Sequence, residues 1–592
     1  MPRPTNRWIA VRASSEISQP GATDPAHWIA LGRLGDRIVA VALDAKADET
    51  TRVDLAPPEV AAWVRRRESP SLRWVWSDTP TWYADLLAEG VRVARCHDLR
   101  LCHAILRTPG GDGAPGDPSM SRAWDAAAVE VPATAPALFE IEAAATRPSL
   151  PEDIEDVLTE FRRQRAAVEA AENPGAIRLL VAAESAGALV AAELRAAGLP
   201  WDEAAHDEIL TDVLGERDAD GVPAKLEDAA RRVRIALSDP SASLDSPPKL
   251  LRALHRVGVM VDSTSKWELS EHRHPVIEPL LEYKKLSRLQ SANGWAWLDE
   301  WVHDGRFRPV YMPGGVVTGR WASSGGGALQ LPRQLRGAVR ADPGWLLVTA
   351  DVAQLEPRVL AAMSADTALA AAARGRDLYA GIVETGAVPS RADAKIAMLG
   401  AMYGATTGDS GRLVPRLRRT FPRAMGLVDA AAATGEGGGV VSTWLGRRSP
   451  PPPPEWQAVQ ARASEPDAAA ADETRARRWA RDRGRFTRNF IVQGTAAEWA
   501  LAWMADLRGR LAALPEVGAA DAASRSGPVF ATRPHLAFFL HDEVIVHVPA
   551  AHAERAADAV RDAAATAGRL LFGDFPIDFP LDLRVSRIAD KG

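Results

Sequence analysis

Only two cysteines, Cys96 and Cys102, occur in 592 residues, which argues against a disulfide-stapled exterior and fits a reducing cytoplasm. No basic, apolar, small-residue leader opens the chain at MPRPTNRWIA. No uninterrupted apolar run approaches the roughly 18 residues a membrane helix needs, because Arg, Asp and Glu punctuate the alanine-rich stretches, so no membrane partner is expected. An excess of basic charge is missing too: 71 Lys and Arg stand against 77 Asp and Glu, a formal charge of -6. That disfavours bulk coating of nucleic acid, although an acidic exterior coexists readily with a local positive channel. What remains is a composition ordinary for a soluble protein, 25% charged and 46% hydrophobic. The length exceeds what one hydrophobic core supports, so two to four domains are expected.

Along the chain, short apolar runs such as RIVAVAL alternate with Gly and Asp turns, then give helical patterns near TWYADLLAEG and LPEDIEDVLTEFRRQRAAVEAA. This reads as a small α/β unit, with a boundary near residue 178 after the Asn173-Pro174-Gly175 turn. Long helical patterns follow, through VIEPLLEYKKLSRLQSANGWAWLDEWV. Beyond Gly305, strand-like pieces at FRPVYM, WLLVTAD, HLAFFL and EVIVHV alternate with helices. The proline run and its Ala, Asp and Glu continuation between Ser449 and Glu473 predict an exposed loop.

Three stretches carry chemistry. LLVTADVAQLEPRVLAA, residues 346–362, ends an apolar strand on Asp351 and starts a helix near Gln354; taken alone, Asp351 also suits a helix N-cap. HLAFFLHDEVIVHVP joins two apolar strands through His541, Asp542 and Glu543, although turns are often acidic for geometric reasons alone. Carboxylates at the ends of neighbouring strands could hold two divalent cations about 4 Å apart, the arrangement that in-line nucleotidyl transfer uses, and oxygen ligands favour magnesium. SRADAKIAMLGAMYGATTG puts Arg391, Lys395, Leu399 and Tyr403 on one helical face, with Ser390 as N-cap. The positive helix end with Arg391 and Lys395 would bind a triphosphate; otherwise this is a packed helix with a solvated basic end.

In this order the three stretches resemble family A DNA polymerases of the polymerase I type, and TGRWASSGGGALQLPRQLRGAVR and RFTRNFIVQGTAAEWA resemble two further segments of that family. The resemblance covers residues 179–592. It implies an α+β multidomain fold, a right-hand polymerase preceded by an RNase H-like, exonuclease-type α/β domain. The expected bounds are 1–178 for that domain, 179–304 for the thumb, 305–360 with 489–592 for the palm, and 361–488 for the fingers. It implies DNA-directed DNA synthesis by a monomer in a bacterial cytoplasm and nucleoid, on primer-template DNA with deoxynucleoside triphosphates, in replication or repair.

Carried over residue by residue, Asp351 and Asp542 would hold two Mg2+ ions, with Mn2+ able to substitute, assisted by the Val352 carbonyl and with Glu543 among the catalytic groups. Lys395 and Arg391 would contact the triphosphate, Lys395 also protonating the departing pyrophosphate. Gln354, Glu356, Leu399 and Tyr403 would complete the nucleotide pocket, Glu356 as the gate that leaves no room for a ribose 2'-hydroxyl. Arg320, Gln330, Gly404, Arg485, Asn489, Gln493 and His541 would contact DNA. Leu399 stands where the family has Phe or Tyr, so it cannot supply base stacking, worth about 1–3 kcal/mol per base, and weaker nucleotide binding is expected. The arginines of TRARRWARDRGRFTR, residues 474–488, could meet template phosphates. In that case, log affinity should fall against log salt with a slope of about -0.9 per phosphate neutralised; a flat response in a salt titration would argue against them.

The N-terminal domain lacks the family's Asp-x-Glu in residues 1–50, and RCHDLRLCHAIL sets Cys102 where a metal-binding Asp is expected. Neither proofreading nor a 5' nuclease domain ahead of this segment is therefore expected. Two rivals remain. A single-subunit RNA polymerase is opposed by Glu356, and a catalytically inactive polymerase-derived DNA-binding protein by the joint retention of Asp351, Asp542, Lys395 and Arg391.

Overall fold

The structure, a computed structural model, describes residues 27–107, 123–125, 150–324, 332–375, 377–404 and 408–589. Gln330 lies outside the described residues. The first unit is a five-stranded sheet of β1 (Trp28–Leu34), β2 (Arg37–Leu43), β3 (Glu49–Leu55), β4 (Arg73–Trp76) and β5 (Cys96–Asp98), in the order β3-β2-β1-β4-β5. The first three strands are antiparallel, and β4 and β5 run parallel to β1. The run RIVAVAL stays apolar because β2 is covered on both faces: Ile38, Ala40 and Ala42 enter one core while Val39, Val41 and Leu43 enter another. Burial of both cysteine thiols pushes their pKa values up, so neither is a reactive thiolate.

Asn173 caps the helix Pro174–Ala197 by accepting from the Ala176 amide, with Pro174 in the first turn, so the proline that reads as a turn begins a helix instead. The boundary near residue 178 thus falls within this helix. It is apolar and long enough to cross a membrane by length and composition alone. Here it packs inside the protein, and Glu184 and Glu193 are buried in ion pairs with arginines from later in the chain. Helices from Glu203–Leu214 to Trp295–Trp301 follow, tied back by a small sheet of β6 (Leu199–Pro200), β7 (Val302–His303) and β8 (Arg306–Phe307). A hairpin of β9 (Val310–Met312) and β10 (Ala322–Ser324) then leads to the second large sheet.

That sheet contains β11 (Trp345–Val352), β12 (His535–Leu540), β13 (Glu543–Pro549) and β14 (Leu581–Ser586), ordered β12-β13-β11-β14 and antiparallel throughout. β11 and β13 are apolar because the helices Ala470–Ala512 and Ala553–Phe572 pack against the sheet. Between β11 and the long helix, the helices Leu355–Met363 to Pro422–Glu436 enclose a separate core. The mixed multidomain α/β architecture matches the sequence-based expectation. One local expectation is overturned: residues 454–463 form a helix, Pro454–Ala463, rather than a loop. Pro453 and Pro454 occupy its N-cap and first position, where a missing amide hydrogen costs nothing. The exposure was anticipated, since none of its residues is buried.

His535 and His547 are cross-strand partners on β12 and β13, and His547 packs on Trp345 with ring centroids 4.5 Å apart. Burial holds His535 down at about 4, with Nδ1 donating to the Arg533 carbonyl. The unfolded chain therefore takes up this proton first as pH falls, and stability present above about 6.5 is lost progressively down to about 4. Burial holds Glu498 up at about 7, which acts with the opposite sign over an overlapping window. The test is therefore a difference. Urea unfolding of wild type and His535→Asn between about pH 7 and 4 should show the variant losing less stability, by about 3 kcal/mol. Parallel losses would overturn the assignment.

Candidate active site

Asp351 is the penultimate residue of β11, not a helix cap; the cap of Leu355–Met363 is Gln354, in the left-handed region at φ 49°. In the sheet register Asp351 lies between Glu543 of β13 and Asp582 of β14. Asp542 occupies the β12–β13 turn, which His541 enables at φ 53°, and its carbonyl accepts the Val352 amide at 2.9 Å. That bond brings Asp542 beside the end of β11, as the paired-carboxylate reading requires. Both aspartates are partly exposed. Asp542, His541, Gln354, Glu356, Leu399 and Tyr403 line a cleft of about 290 Å³.

Glu543, expected among the catalytic groups, is only 2% exposed, and Arg336 grips it bidentately, Nη1 on Oε1 and Nη2 on Oε2 at 2.5 Å. The pair anchors the start of β13. Arg336 was not anticipated, because nothing local in QLRGAVR marks a partner 207 residues away.

The helix Arg391–Tyr403 begins as expected: Ser390 accepts from the Asp393 amide. Lys395 is exposed and forms no ion pair among the described residues. Arg391 is held by Asp377, 2.6 Å from Nη2, and lies 5.6 Å from the ring centre of Tyr379. Neither partner was foreseen. Burial, then the nearby Glu356 and Asp377, push the Tyr379 phenol up to about 12, so it stays a neutral donor. Leu399 packs against the core of the surrounding helices and reaches the cleft. At the far end of the helix, the Tyr403 hydroxyl donates to Glu356 Oε2 at 2.7 Å, while Arg320 Nη2 pairs with Oε1. Glu356 thus joins Arg320 to Tyr403.

Gly404 ends the helix in the left-handed region and faces the side chain of Arg485. Arg485, Asn489 and Gln493 follow at four-residue steps along the 43-residue helix Ala470–Ala512. Arg485 pairs with Asp482, and Gln493 accepts from the Thr318 hydroxyl at 3.0 Å. Arg418, Arg478, Arg481 and Arg488 join Arg485 around a cavity of about 530 Å³ beside Gly404. The arginine cluster is therefore partly concentrated at one place, although Arg483 is buried and bonded to the Pro450 carbonyl.

In the first unit, β1 contributes no carboxylate, and a Cβ on its Gly32 would lie 2.6 Å from Ile154 Cα. Asp98 is buried and consumed as a cap for Leu101 and an acceptor for Thr79. Asp78 pairs with Arg100, and Glu152 with Arg33. Among the described residues no group of three or more His, Cys, Asp or Glu is placed to hold a metal ion.

A family model described as DNA polymerase family A matches residues 244–587, more than half of the chain. The thermostable DNA polymerase I of Thermus filiformis is 29% identical over 346 residues, 53% of this chain and 36% of that protein. The DNA polymerase I of Chloroflexus aurantiacus is 30% identical over 352 residues, 55% of this chain and 33% of that protein. The chain thus spans about a third of the length of these curated relatives. Among solved structures, the polymerase domain of Pol1 from M. smegmatis, in complex with DNA primer-template and dNTP, superposes with a TM-score of 0.65 at 18% identity, covering 95% of each chain.

Proposed function

The chain belongs to DNA polymerase family A, and from that premise we propose that it extends a DNA primer on a DNA template with deoxynucleoside triphosphates, releasing pyrophosphate. The observation that carries this reading is the backbone placement of Asp351 next to the turn that holds Asp542, which lines a cleft together with Glu356, Leu399 and Tyr403. Two partly exposed carboxylates with the Val352 carbonyl suit magnesium, which takes one or two protein carboxylates and completes its shell with water and substrate phosphates. Bound there as a pair, the ions would activate the primer hydroxyl and neutralise the triphosphate. Manganese would serve the same ligands.

The remaining steps belong to side chains. Lys395, with the capped positive end of its helix, receives the triphosphate and supplies the proton for departing pyrophosphate. Arg391 joins once it exchanges Asp377 for phosphate. Glu356, which lines the cleft with Gln354, acts as the gate that excludes a ribose 2'-hydroxyl, a role that rests on the family resemblance. Arg320, Gly404, Arg485, Asn489, Gln493 and His541 line the way for primer and template. The domain bounds given above serve as thumb, palm and fingers, with the long helix shared between palm and fingers. We place the protein in the bacterial cytoplasm as a monomer. The first unit carries an exonuclease-like sheet without proofreading activity, a reading supported by the arginine-paired or buried state of Asp78, Asp98 and Glu152.

The test is extension of an end-labelled primer with deoxynucleotides, with ribonucleotides and with none. Templated extension by deoxynucleotides without shortening in the last lane is expected. An inert primer in every lane would overturn the polymerase reading, and shortening would overturn the loss of proofreading. A companion expectation concerns Leu399→Phe, which restores a stacking ring: the KM for deoxynucleotides should fall by about fivefold or more and dideoxynucleotide use should change. Unchanged competition between dideoxy and deoxy substrates would refute the second part.

A further inference from the structure

Arg320 sits on the return arm of the turn between β9 and β10, and nothing in its immediate sequence fixes the height of that turn. What lies beneath it does. Gly314 and Gly319 both come close to the protein below: a Cβ on Gly319 would lie 2.6 Å from Arg447 Nε, and one on Gly314 would lie 2.8 Å from Glu184 Oε1. Arg447 and Glu184 form a buried ion pair, Nη2 to Oε2 at 2.5 Å, between the loop after the helix Pro422–Glu436 and the helix Pro174–Ala197.

The pair is held from a second direction. Thr443 donates its hydroxyl to Glu498 Oε1, Glu498 Oε2 accepts the Leu445 amide at 3.0 Å, and the Trp444 amide donates to Thr495 at 3.0 Å. These bonds strap residues 443–447 to the long helix, and the Arg447 amide closes the loop on Thr443 Oγ1 at 2.9 Å. The turn above rests on the same helix through Thr318 and Gln493.

We propose that Glu184 and Arg447 are positioning residues, an ion-paired floor that sets the Arg320 turn and, through Arg320, the placement of the Glu356 carboxylate against the nucleotide sugar. The inference rests on the polymerase reading. Neither residue lines the cleft, and the effect on ribonucleotide rejection that we assign to them runs through Arg320 and its bond to Glu356.

The experiment is single-nucleotide incorporation with a deoxynucleotide and the matching ribonucleotide. Arg447→Lys keeps the charge but not the planar fork, and should raise the deoxynucleotide KM about tenfold, with a smaller change in kcat and weaker rejection of the ribonucleotide. Gly319→Ala, which leaves the ion pair chemically intact and lifts the turn, should reproduce that pattern. In an Arg320→Ala background, Arg447→Lys should have no further effect on the ribonucleotide ratio. Full additivity of Arg447→Lys with Arg320→Ala, or a loss confined to thermal stability in both Arg447→Lys and Gly319→Ala, would overturn the proposal. A wild-type chain that extends no primer would overturn the polymerase reading and this inference together, a result distinct from an active chain with additive variants.

Discussion

Asp542→Ala is expected to lose templated extension by about a thousandfold or more while still binding primer-template, because in the proposed reaction Asp542 is one of two carboxylates that would hold the divalent cations, and losing about 4 kcal/mol of the charge stabilisation they would supply is a factor of a thousand. The backbone bond in which the Asp542 carbonyl accepts the Val352 amide survives the substitution. His541 keeps the left-handed conformation that turns the chain. Single-turnover extension paired with fluorescence anisotropy on labelled DNA separates chemistry from binding. Retained extension would remove Asp542 from the reaction, and loss of binding in equal measure would make it a structural residue.

The second large effect is on stability. Arg336→Met is expected to destabilise the protein by about 3–5 kcal/mol, because it strands the Glu543 carboxylate in the core without its partner. Replacing both, Arg336→Met with Glu543→Gln, should recover most of that loss, since a neutral amide is cheaper to bury than an unpaired charge. Urea denaturation of the three proteins reads this directly. The same Glu543→Gln change tests the site assignment: extension should fall far less than in Asp542→Ala. Comparable losses would keep Glu543 among the catalytic groups.

The contrast between Asp542 and Glu543 shows what was legible in the sequence. Asp351, Asp542 and the face carrying Arg391, Lys395, Leu399 and Tyr403 could be found because their signals are local: an apolar strand ending on an acid, a two-residue turn, a four-residue spacing behind a serine cap. The alternating strands of both sheets were legible for the same reason. What escaped depends on partners distant in the chain. Glu543 reads as one more acid at a turn until Arg336 closes on it, and Arg391 reads as free until Asp377 and Tyr379 come beneath it. The helix Pro454–Ala463 was misread because proline at a first helical position has the same composition as proline in a loop.

The 43-residue helix Ala470–Ala512 imposes a rule of phase. Its first half presents arginines beside Gly404, and its second half enters the core beneath the catalytic sheet, with no break between them. A helix advances about 100° per residue, so one residue inserted near Asn489 would swing every arginine upstream by that angle relative to Gln493, and two by about 200°. Only a change of about seven residues returns both halves to register, at the cost of moving one end roughly 10 Å along the axis. Insertions and deletions through this segment should therefore be tolerated worse than substitutions on its exposed face, and the length of the helix works as a dimension of the site in its own right.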